Sequence, residues 1–181
     1  MKKSLIVCAF ACALSLVAAE VKFDWSKSKI GENKAPGWGV NAMGKYEGLG
    51  KVTVVEGSQK GTMALQCVTQ ARSTAYFRAT AIKAKAGDTV KITAKVKGTG
   101  KISLGVYSYS KSGFVPAPTP HKTFDVSSEL KDIVYEFELL ESKTKDKDGN
   151  LKTVATIRPT FTIVANSDFI IEDIIVEVTN K

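Results

Sequence analysis

The segment Ala86-Gly-Asp-Thr-Val-Lys-Ile-Thr-Ala-Lys-Val-Lys-Gly98 alternates apolar and polar residues between two turns that contain glycine. A period of two places the apolar side chains on one face of a β-strand and the lysines on the other. The pattern recurs in residues 51–56, 62–68, 75–82, 102–109, 133–139, 153–165 and 169–178. No stretch beyond the N-terminus has helical periodicity. The sequence therefore predicts an all-β domain, a sandwich or barrel built of antiparallel sheets.

The N-terminus predicts a cleavable secretory signal peptide. Two lysines precede an apolar run over residues 5–17, and small residues end the run at Ala19. The run is shorter than the roughly 20 apolar residues of a membrane helix, so cleavage after Ala19 is favoured over a retained anchor. We therefore predict a signal peptide at 1–19 and a single domain at 20–181. We expect a secreted or periplasmic monomer of a Gram-negative-type bacterium, with no membrane partner after cleavage.

The lysines are distributed as on a solvated strand face. The net charge of +8 falls to +6 without Lys2 and Lys3. In the quoted segment Lys91, Lys95 and Lys97 alternate with apolar residues, which is typical of a wet face that resists mispairing. We therefore expect no nucleic-acid partner, while attraction to acidic surfaces or glycans stays open.

Cleavage of the signal would leave Cys67 as the one cysteine of the mature chain. A single cysteine cannot form an internal disulfide, so the domain depends on an ordinary apolar core even in an oxidising compartment. Cys67 shares a strand face with Leu65, which predicts a buried, inert thiol and not a nucleophile.

Five segments of the chain, taken in order, resemble a known family. They are Phe23-Asp-Trp25, Gly37-Trp38, Gly57-Ser-Gln-Lys-Gly-Thr-Met-Ala-Leu65, Ala86–Gly98 and Phe169-Ile-Ile-Glu-Asp-Ile174. Together they resemble the galactose-binding-like jelly rolls, specifically the carbohydrate-binding modules attached to bacterial xylanases and glucanases. The resemblance implies a jelly-roll β-sandwich that binds a polysaccharide or oligosaccharide without catalysis. The family's usual Trp before the strand at Leu130 and its Asn-Pro-Gly-Phe opening are missing, which leaves the glycan open.

Three of the alternating segments present polar or aromatic side chains on one face, as a sugar-binding platform requires. The candidate carbohydrate-binding residues are Trp38, Tyr76, Arg78, Tyr107, Tyr109, His121 and Arg158. Flanking glycines predict an exposed Trp38 ring, whereas Trp25 is expected to pack inside. A proline-rich loop predicts an exposed and incidental His121, unless it rims the site and hydrogen-bonds a sugar hydroxyl. The alternative for the strand positions is an ordinary solvent face, because Tyr and Thr favour strands anyway.

The resemblance also implies a structural calcium ion where the first strand, the turn into the third strand and the last strand meet. The corresponding residues are Asp24, Ser58, Thr62 and Asp173. Alternation places Asp173 on the inward face of its strand with Phe169 and Ile171, and a buried carboxylate needs a partner. Calcium accepts carboxylates and carbonyls in flexible geometry. A lysine or arginine, or capping by the backbone, is the alternative partner.

Catalytic motifs are scarce in the sequence. It has no Gly-x-Ser-x-Gly elbow, no His/Cys metal cluster and no phosphate-binding glycine loop. Glu136 and Glu138 share one strand face, which is common on solvated strands and is not the carboxylate arrangement of a glycosidase cleft. We therefore predict that the protein is not an enzyme. The alternatives are a structural or adhesive surface module without a sugar ligand, and a small polysaccharide lyase using Tyr107, His121 and Arg158.

Overall fold

In a computed structural model of the chain, the structure describes residues 17–33, 37–40, 50–69, 75–116 and 119–180. The strands are β1 (Val17–Asp24), β2 (Trp38–Val40), β3 (Gly50–Glu56), β4 (Met63–Thr69), β5 (Ala75–Ala79), β6 (Ile82–Lys83), β7 (Thr89–Thr99), β8 (Lys101–Ser110), β9 (Gly113–Val115), β10 (His121–Asp125), β11 (Lys131–Glu138), β12 (Thr156–Ile163) and β13 (Asp168–Thr179). The described part of the chain contains no helix with the length and apolar character that a membrane crossing requires.

The strands form two antiparallel sheets. The first sheet has the order β11-β7-β13-β4-β3, with β1 also paired to β13. The second has the order β10-β8-β12-β5-β2, with β6 also paired to β12 and β9 to β8. Every pairing is antiparallel, and the all-β prediction with two antiparallel sheets is confirmed.

The quoted segment forms β7, which lies between β11 and β13 in the first sheet. Its burial alternates as the sequence predicts, with Val90, Ile92, Ala94 and Val96 buried. These side chains join one core cluster with Ile102, Leu104 and Val106 of β8 in the second sheet. Each fully buried aliphatic side chain contributes about 1.5–3 kcal/mol relative to an exposed one. The core between the sheets therefore supplies the main stabilising term.

Trp25 and Cys67 lie in this core, as predicted. Trp25 is fully buried, and its Nε1 donates a hydrogen bond of 2.6 Å to the carbonyl of Ile171 in β13. Cys67 is buried as a free thiol, and burial raises the pKa of that thiol well above its usual value. The thiolate is therefore disfavoured, which supports the prediction of an inert cysteine.

A β-bulge in β13 reverses the orientation predicted for Asp173. The register with β7 shifts between Ile171 and Asp173. After Ile171, the next buried residue is therefore Ile174, whereas strict alternation would bury Asp173. Asp173 lies on the outer face, half-buried, with its carboxylate 3.1 Å from the Nζ of Lys22. The prediction of an inward-facing Asp173 is wrong because one extra residue breaks the period of two.

The N-terminal part and one loop differ in detail from the sequence expectations. Residues 1–16 of the predicted signal peptide lie outside the described residues, and its cleavage point after Ala19 falls within β1. His121 was expected in a proline-rich loop but begins β10, which pairs with β8. The prolines precede the strand, so they remove none of its backbone donors.

Candidate functional site

In the second sheet, one residue from each of the strands β10, β8, β12 and β5 lies in a single row across the sheet. His121 lies opposite Gly105 of β8, Gly105 opposite Thr160 of β12, and Thr160 opposite Arg78 of β5. Directly paired residues of antiparallel strands carry their side chains on the same face. The neighbouring residues Leu104 and Phe161 are fully buried, so the row lies on the outer face of the sheet.

The next rows on this face hold the remaining candidates. Tyr107 lies opposite Arg158, Tyr109 opposite Thr156, and Tyr76 opposite Thr162. The side chain of Tyr76 lies outside the described residues. Of the seven predicted carbohydrate-binding residues, all but Trp38 thus occupy positions on one face of one sheet.

Tyr109 is held between two arginines on this face. Its Oη accepts a hydrogen bond of 2.7 Å from Nη1 of Arg78, and the Cζ of Arg158 lies 5.2 Å from the centroid of its ring. A guanidinium over a phenol ring is favourable because the ring face carries negative charge. The position of Tyr109 is therefore fixed by contacts on two sides.

Phe114 completes the aromatic part of the site and was missed by the sequence analysis. It lies in β9 opposite Tyr109, is 41% exposed, and its ring centroid is 5.4 Å from that of Tyr107 and 5.7 Å from that of Tyr109. The Lys111-Ser112 turn sets this register. We call the surface formed by Arg78, Tyr107, Tyr109, Phe114 and Arg158 the tyrosine–arginine face.

Tyr107 is half-buried within the tyrosine–arginine face. Its ring lies 5.2 Å from the imidazole of His121 and also contacts Phe114. Burial, and secondly the neighbouring Tyr109, raise the pKa of the Tyr107 hydroxyl. Tyr107 is therefore a neutral hydrogen-bonding group at physiological pH.

His121 is fixed by both of its ring nitrogens. Nδ1 lies 2.9 Å from the carbonyl oxygen of Thr119, which can only accept, so Nδ1 donates. In the neutral ring Nε2 then accepts from the hydroxyl of Thr160 at 2.9 Å. A Cβ on Gly105 would overlap with His121 Cδ2 and the Pro120 carbonyl. The ring is half-buried, so the prediction of an exposed His121 is wrong, because the glycine lets the ring pack on β8. Its hydrogen bond to a sugar hydroxyl stays a prediction.

Trp38 is buried, which corrects the expectation of an exposed ring. It is 8% exposed and packs between the rings of Phe23 and Phe161, with both centroids 4.9 Å away. Gly37 has a φ of +78°, and a Cβ at this position would lie 3.3 Å from the ring of Phe23, so glycine suits both the backbone conformation and the close packing there. Nε1 of Trp38 has no hydrogen-bond partner among the described residues.

Trp38 nevertheless lies next to two residues of the tyrosine–arginine face, Arg78 and Arg158. A groove of about 320 Å³ is lined by Gly37, Trp38, Arg78, Ala79, Thr80 and Arg158. Both arginines and Trp38 thus line one shallow depression of the described surface.

The residues predicted to bind calcium partly converge. Asp24 lies opposite Asp173 in the pairing of β1 with β13, and both line a pocket of about 390 Å³ with Thr62. Ser58 lies beside it, and its backbone N–H donates to Glu172 at 2.7 Å. No group of three or more metal-ligating His, Cys, Asp or Glu side chains occurs among the described residues.

The charges of this pocket do not fit a calcium ion in the arrangement described. Lys22 and Lys95 line it, and Lys22 pairs with Asp173, which is the lysine partner considered as the alternative. The hydroxyl and the backbone N–H of Ser26 donate to Asp24 and lower the pKa of its carboxyl. Calcium binding stays a prediction that needs its own test.

Comparisons with known proteins agree with this architecture. No protein-family model matches the chain, and no curated protein matches it in sequence. Among solved structures, the module BiXyn10A CBM1 in its unliganded form superposes with a TM-score of 0.51 at 15% identity, covering 91% of this chain and 99% of that one. The CBM22-1–GH10 modules of Clostridium thermocellum endo-1,4-β-D-xylanase 10B, complexed with xylohexaose, give 0.55 at 18% identity, covering 88% of this chain and 28% of that one.

A further similar structure is described as an enzymatically active domain. The enzymatically active domain of tailspike protein 4 of bacteriophage CBA120 gives a TM-score of 0.56 at 12% identity, covering 78% of this chain and 19% of that one. At such identities the comparisons establish the fold. The predicted likeness to the jelly-roll β-sandwich of carbohydrate-binding modules is confirmed.

Proposed function

We propose that the chain is a non-catalytic carbohydrate-binding domain that holds a polysaccharide or oligosaccharide on the tyrosine–arginine face. One observation carries the proposal: two tyrosines, an exposed phenylalanine and two arginines share one face of a rigid sheet. Sugar rings present apolar faces to aromatic planes and hydroxyls to donors, so this combination suits them. The fold shared with carbohydrate-binding modules supports the same proposal.

Binding on this face would use a largely preformed surface. The bond from Arg78 to Tyr109 and the packing of Tyr107 on His121 hold the side chains before a ligand arrives. Preorganisation lowers the entropy lost on association. Each aromatic contact contributes only about 0.5–1.5 kcal/mol beyond area burial. We therefore expect reversible binding whose strength comes from several sugar units.

The geometry supports binding without catalysis. Both ring nitrogens of His121 are hydrogen-bonded to neighbouring protein groups, which supports a positioning role for the ring over that of an imidazole base. Glu136 and Glu138 belong to β11 in the first sheet, away from the tyrosine–arginine face. In the described strands of the second sheet, Asp125 is the one acidic residue. A glycosidase would need a carboxylate pair across the scissile bond.

A glycan array with the purified protein tests the proposal. We expect retention of at least one polysaccharide class, lost in the Tyr107→Ala/Tyr109→Ala variant. The matched control is Tyr135→Ala, which removes a half-buried tyrosine from the first sheet. Silence across plant, algal and host glycans would instead favour a structural or adhesive module without a sugar ligand.

We also propose that the protein is secreted or periplasmic and acts as a monomer. The charged start, apolar run and small-residue end of the N-terminus support export. N-terminal sequencing of the protein from culture medium or periplasm should begin at Glu20. Sequencing that begins at Met1 would contradict cleavage.

A further inference from the structure

The two sheets differ in how their acidic residues are distributed. One row of the first sheet, across β11, β7, β13 and β1, consists of Glu136, Lys91, Glu177 and Glu20. Within that row Lys91 pairs with Glu177 at 2.7 Å. In the described strands of the second sheet the single acid, Asp125, ends β10 and pairs with Lys101 at 2.9 Å. The tyrosine–arginine face therefore carries cations with no carboxylate in its described strands to offset them.

The two arginines of this face have no carboxylate partner among the described residues, unlike several of the lysines. Every ion pair among the described residues joins a lysine to a carboxylate, and neither Arg78 nor Arg158 belongs to one. Arg78 uses one N–H to bind Tyr109, and Arg158 stacks on the ring of the same tyrosine. A guanidinium has five N–H donors, so each arginine keeps donors for an external oxyanion.

The arginines also share one groove. Both line the groove of about 320 Å³ whose wall includes Trp38. The indole Nε1 is itself buried, so the donors that the groove offers a ligand are those of the two guanidinium groups. Hydrogen bonds between a charged donor and an oxyanion are about twice as strong as neutral ones. This lining favours a negatively charged acceptor over a neutral hydroxyl.

We propose that the ligand is an acidic polysaccharide whose carboxylate or sulfate groups are bound by Arg78 and Arg158. This inference rests on the proposed carbohydrate-binding function and names its ligand class. The fork of arginine matches a carboxylate or sulfate with two parallel hydrogen bonds, which a lysine cannot supply. The tyrosines and Phe114 would contact the apolar faces of the sugar rings between the charged groups. Stacking and charge recognition would then act on the same chain of sugars.

The test compares polymers of galactose, or of its uronic acid, that differ in charge. Polygalacturonate carries carboxylates, a sulfated galactan carries sulfate esters, and neutral galactan carries neither. Affinity electrophoresis and calorimetry measure binding of the purified protein to each, with duplex DNA as a polyanion without sugar rings to stack. The variants are Arg78→Gln and Arg158→Gln. Lys97→Gln, on the first sheet, is the control for loss of one positive charge.

We expect binding to one or both charged galactans and at most weak binding to neutral galactan. Each arginine variant should lose about tenfold or more in affinity, because each removes charge-assisted hydrogen bonds. Lys97→Gln should lose less than about twofold, since an exposed distant charge is screened by salt. The charged polymer that binds with the higher affinity identifies the anionic group, carboxylate or sulfate, that the arginines prefer.

Other outcomes separate the two proposals. Equal binding of neutral and charged galactans, unchanged in the arginine variants, would overturn the acidic ligand and leave carbohydrate binding intact. Binding of no glycan would overturn both. Equal losses in Lys97→Gln and the arginine variants, or equal affinity for DNA, would show unspecific charge attraction and overturn the inference. New ultraviolet absorbance from unsaturated ends would support the acidic ligand and contradict the absence of catalysis.

Discussion

Arg78 Nη1 donates a hydrogen bond of 2.7 Å to Tyr109 Oη across the intervening strand β12. The two residues belong to β5 and β8, which do not pair with each other. Their side chains therefore reach over β12, next to Arg158, and join three strands of the face. The bond fixes both the donor and the ring that the proposed ligand would contact.

Tyr109→Phe tests what this bond does. The variant keeps the ring but removes the acceptor of Arg78, so we expect glycan affinity to fall about three- to tenfold. The free energy of unfolding should change by about 0.5–1.5 kcal/mol, as for one hydrogen bond. Calorimetry and urea unfolding measure the two effects. Tyr135→Phe in the first sheet is the control and should leave affinity unchanged; a matching loss there would contradict a specific role of the bond.

Gly105→Ala should destabilise the edge of the second sheet. A Cβ at this position would overlap with His121 and with the Pro120 carbonyl, and overpacking of this kind costs about 1–3 kcal/mol. Thermal unfolding should show the loss, while Ser103→Ala in the same strand should not. Adding His121→Ala should recover part of the loss, because the backbone contact remains. An unchanged midpoint in Gly105→Ala would contradict the close packing of His121 and the Pro120 carbonyl against Gly105.

Alkaline pH should weaken the fold through Tyr107. Burial and Tyr109 raise its pKa above the ordinary value of about 10, so the unfolded chain releases this proton first as pH rises. The free energy of unfolding should therefore fall with pH above about 10. Tyr107→Phe should reduce the slope without abolishing it, because burial also raises the pKa of Tyr135. Identical slopes in urea unfolding series of the two proteins would contradict this assignment.

Asp173→Asn distinguishes two possible partners of the Asp173 carboxylate, the ammonium group of Lys22 and a calcium ion. Loss of the Lys22 pair alone should cost less than about 1 kcal/mol, since the Lys22 side chain is half-exposed. If calcium binds there as the sequence predicts, millimolar calcium raises the melting midpoint of the unmodified protein, and chelator or Asp173→Asn removes the rise. An unchanged midpoint, with no metal found by elemental analysis, would reject the calcium prediction.

The strands with one buried face could be predicted because apolar and polar residues alternate along them in the sequence. In β7, Val90 and Ile92 face the core and Lys91 faces outward, as the period of two requires. The same rule placed Tyr107 and Arg158 each on the outer face of its own strand, and the pairing of β8 with β12 brings the two residues together. Local patterning therefore identified most of the candidate site.

The wrong predictions concern residues whose environment is not visible in the neighbouring sequence. Trp38 is buried against Phe161, which belongs to a strand far along the chain, so the flanking glycines alone misled the prediction. The bulge near Asp173 adds one residue that alternation cannot reveal. Gly105 was the available signal for His121, because a glycine inside a strand often marks the close approach of another chain segment.

The pairing of β1 with β13 has a consequence for mechanical load. Glu20, at which the predicted mature chain begins, lies opposite Glu177, and the register continues inward from that pair to Asp24 opposite Asp173. A force that separates Glu20 from Glu177 pulls across the strand axes at one end of this ladder, whose hydrogen bonds lie perpendicular to the strands. The bonds would therefore open one after another, as in a zipper, at low force. Tension applied through these two positions would peel β1 away while the second sheet keeps its shape.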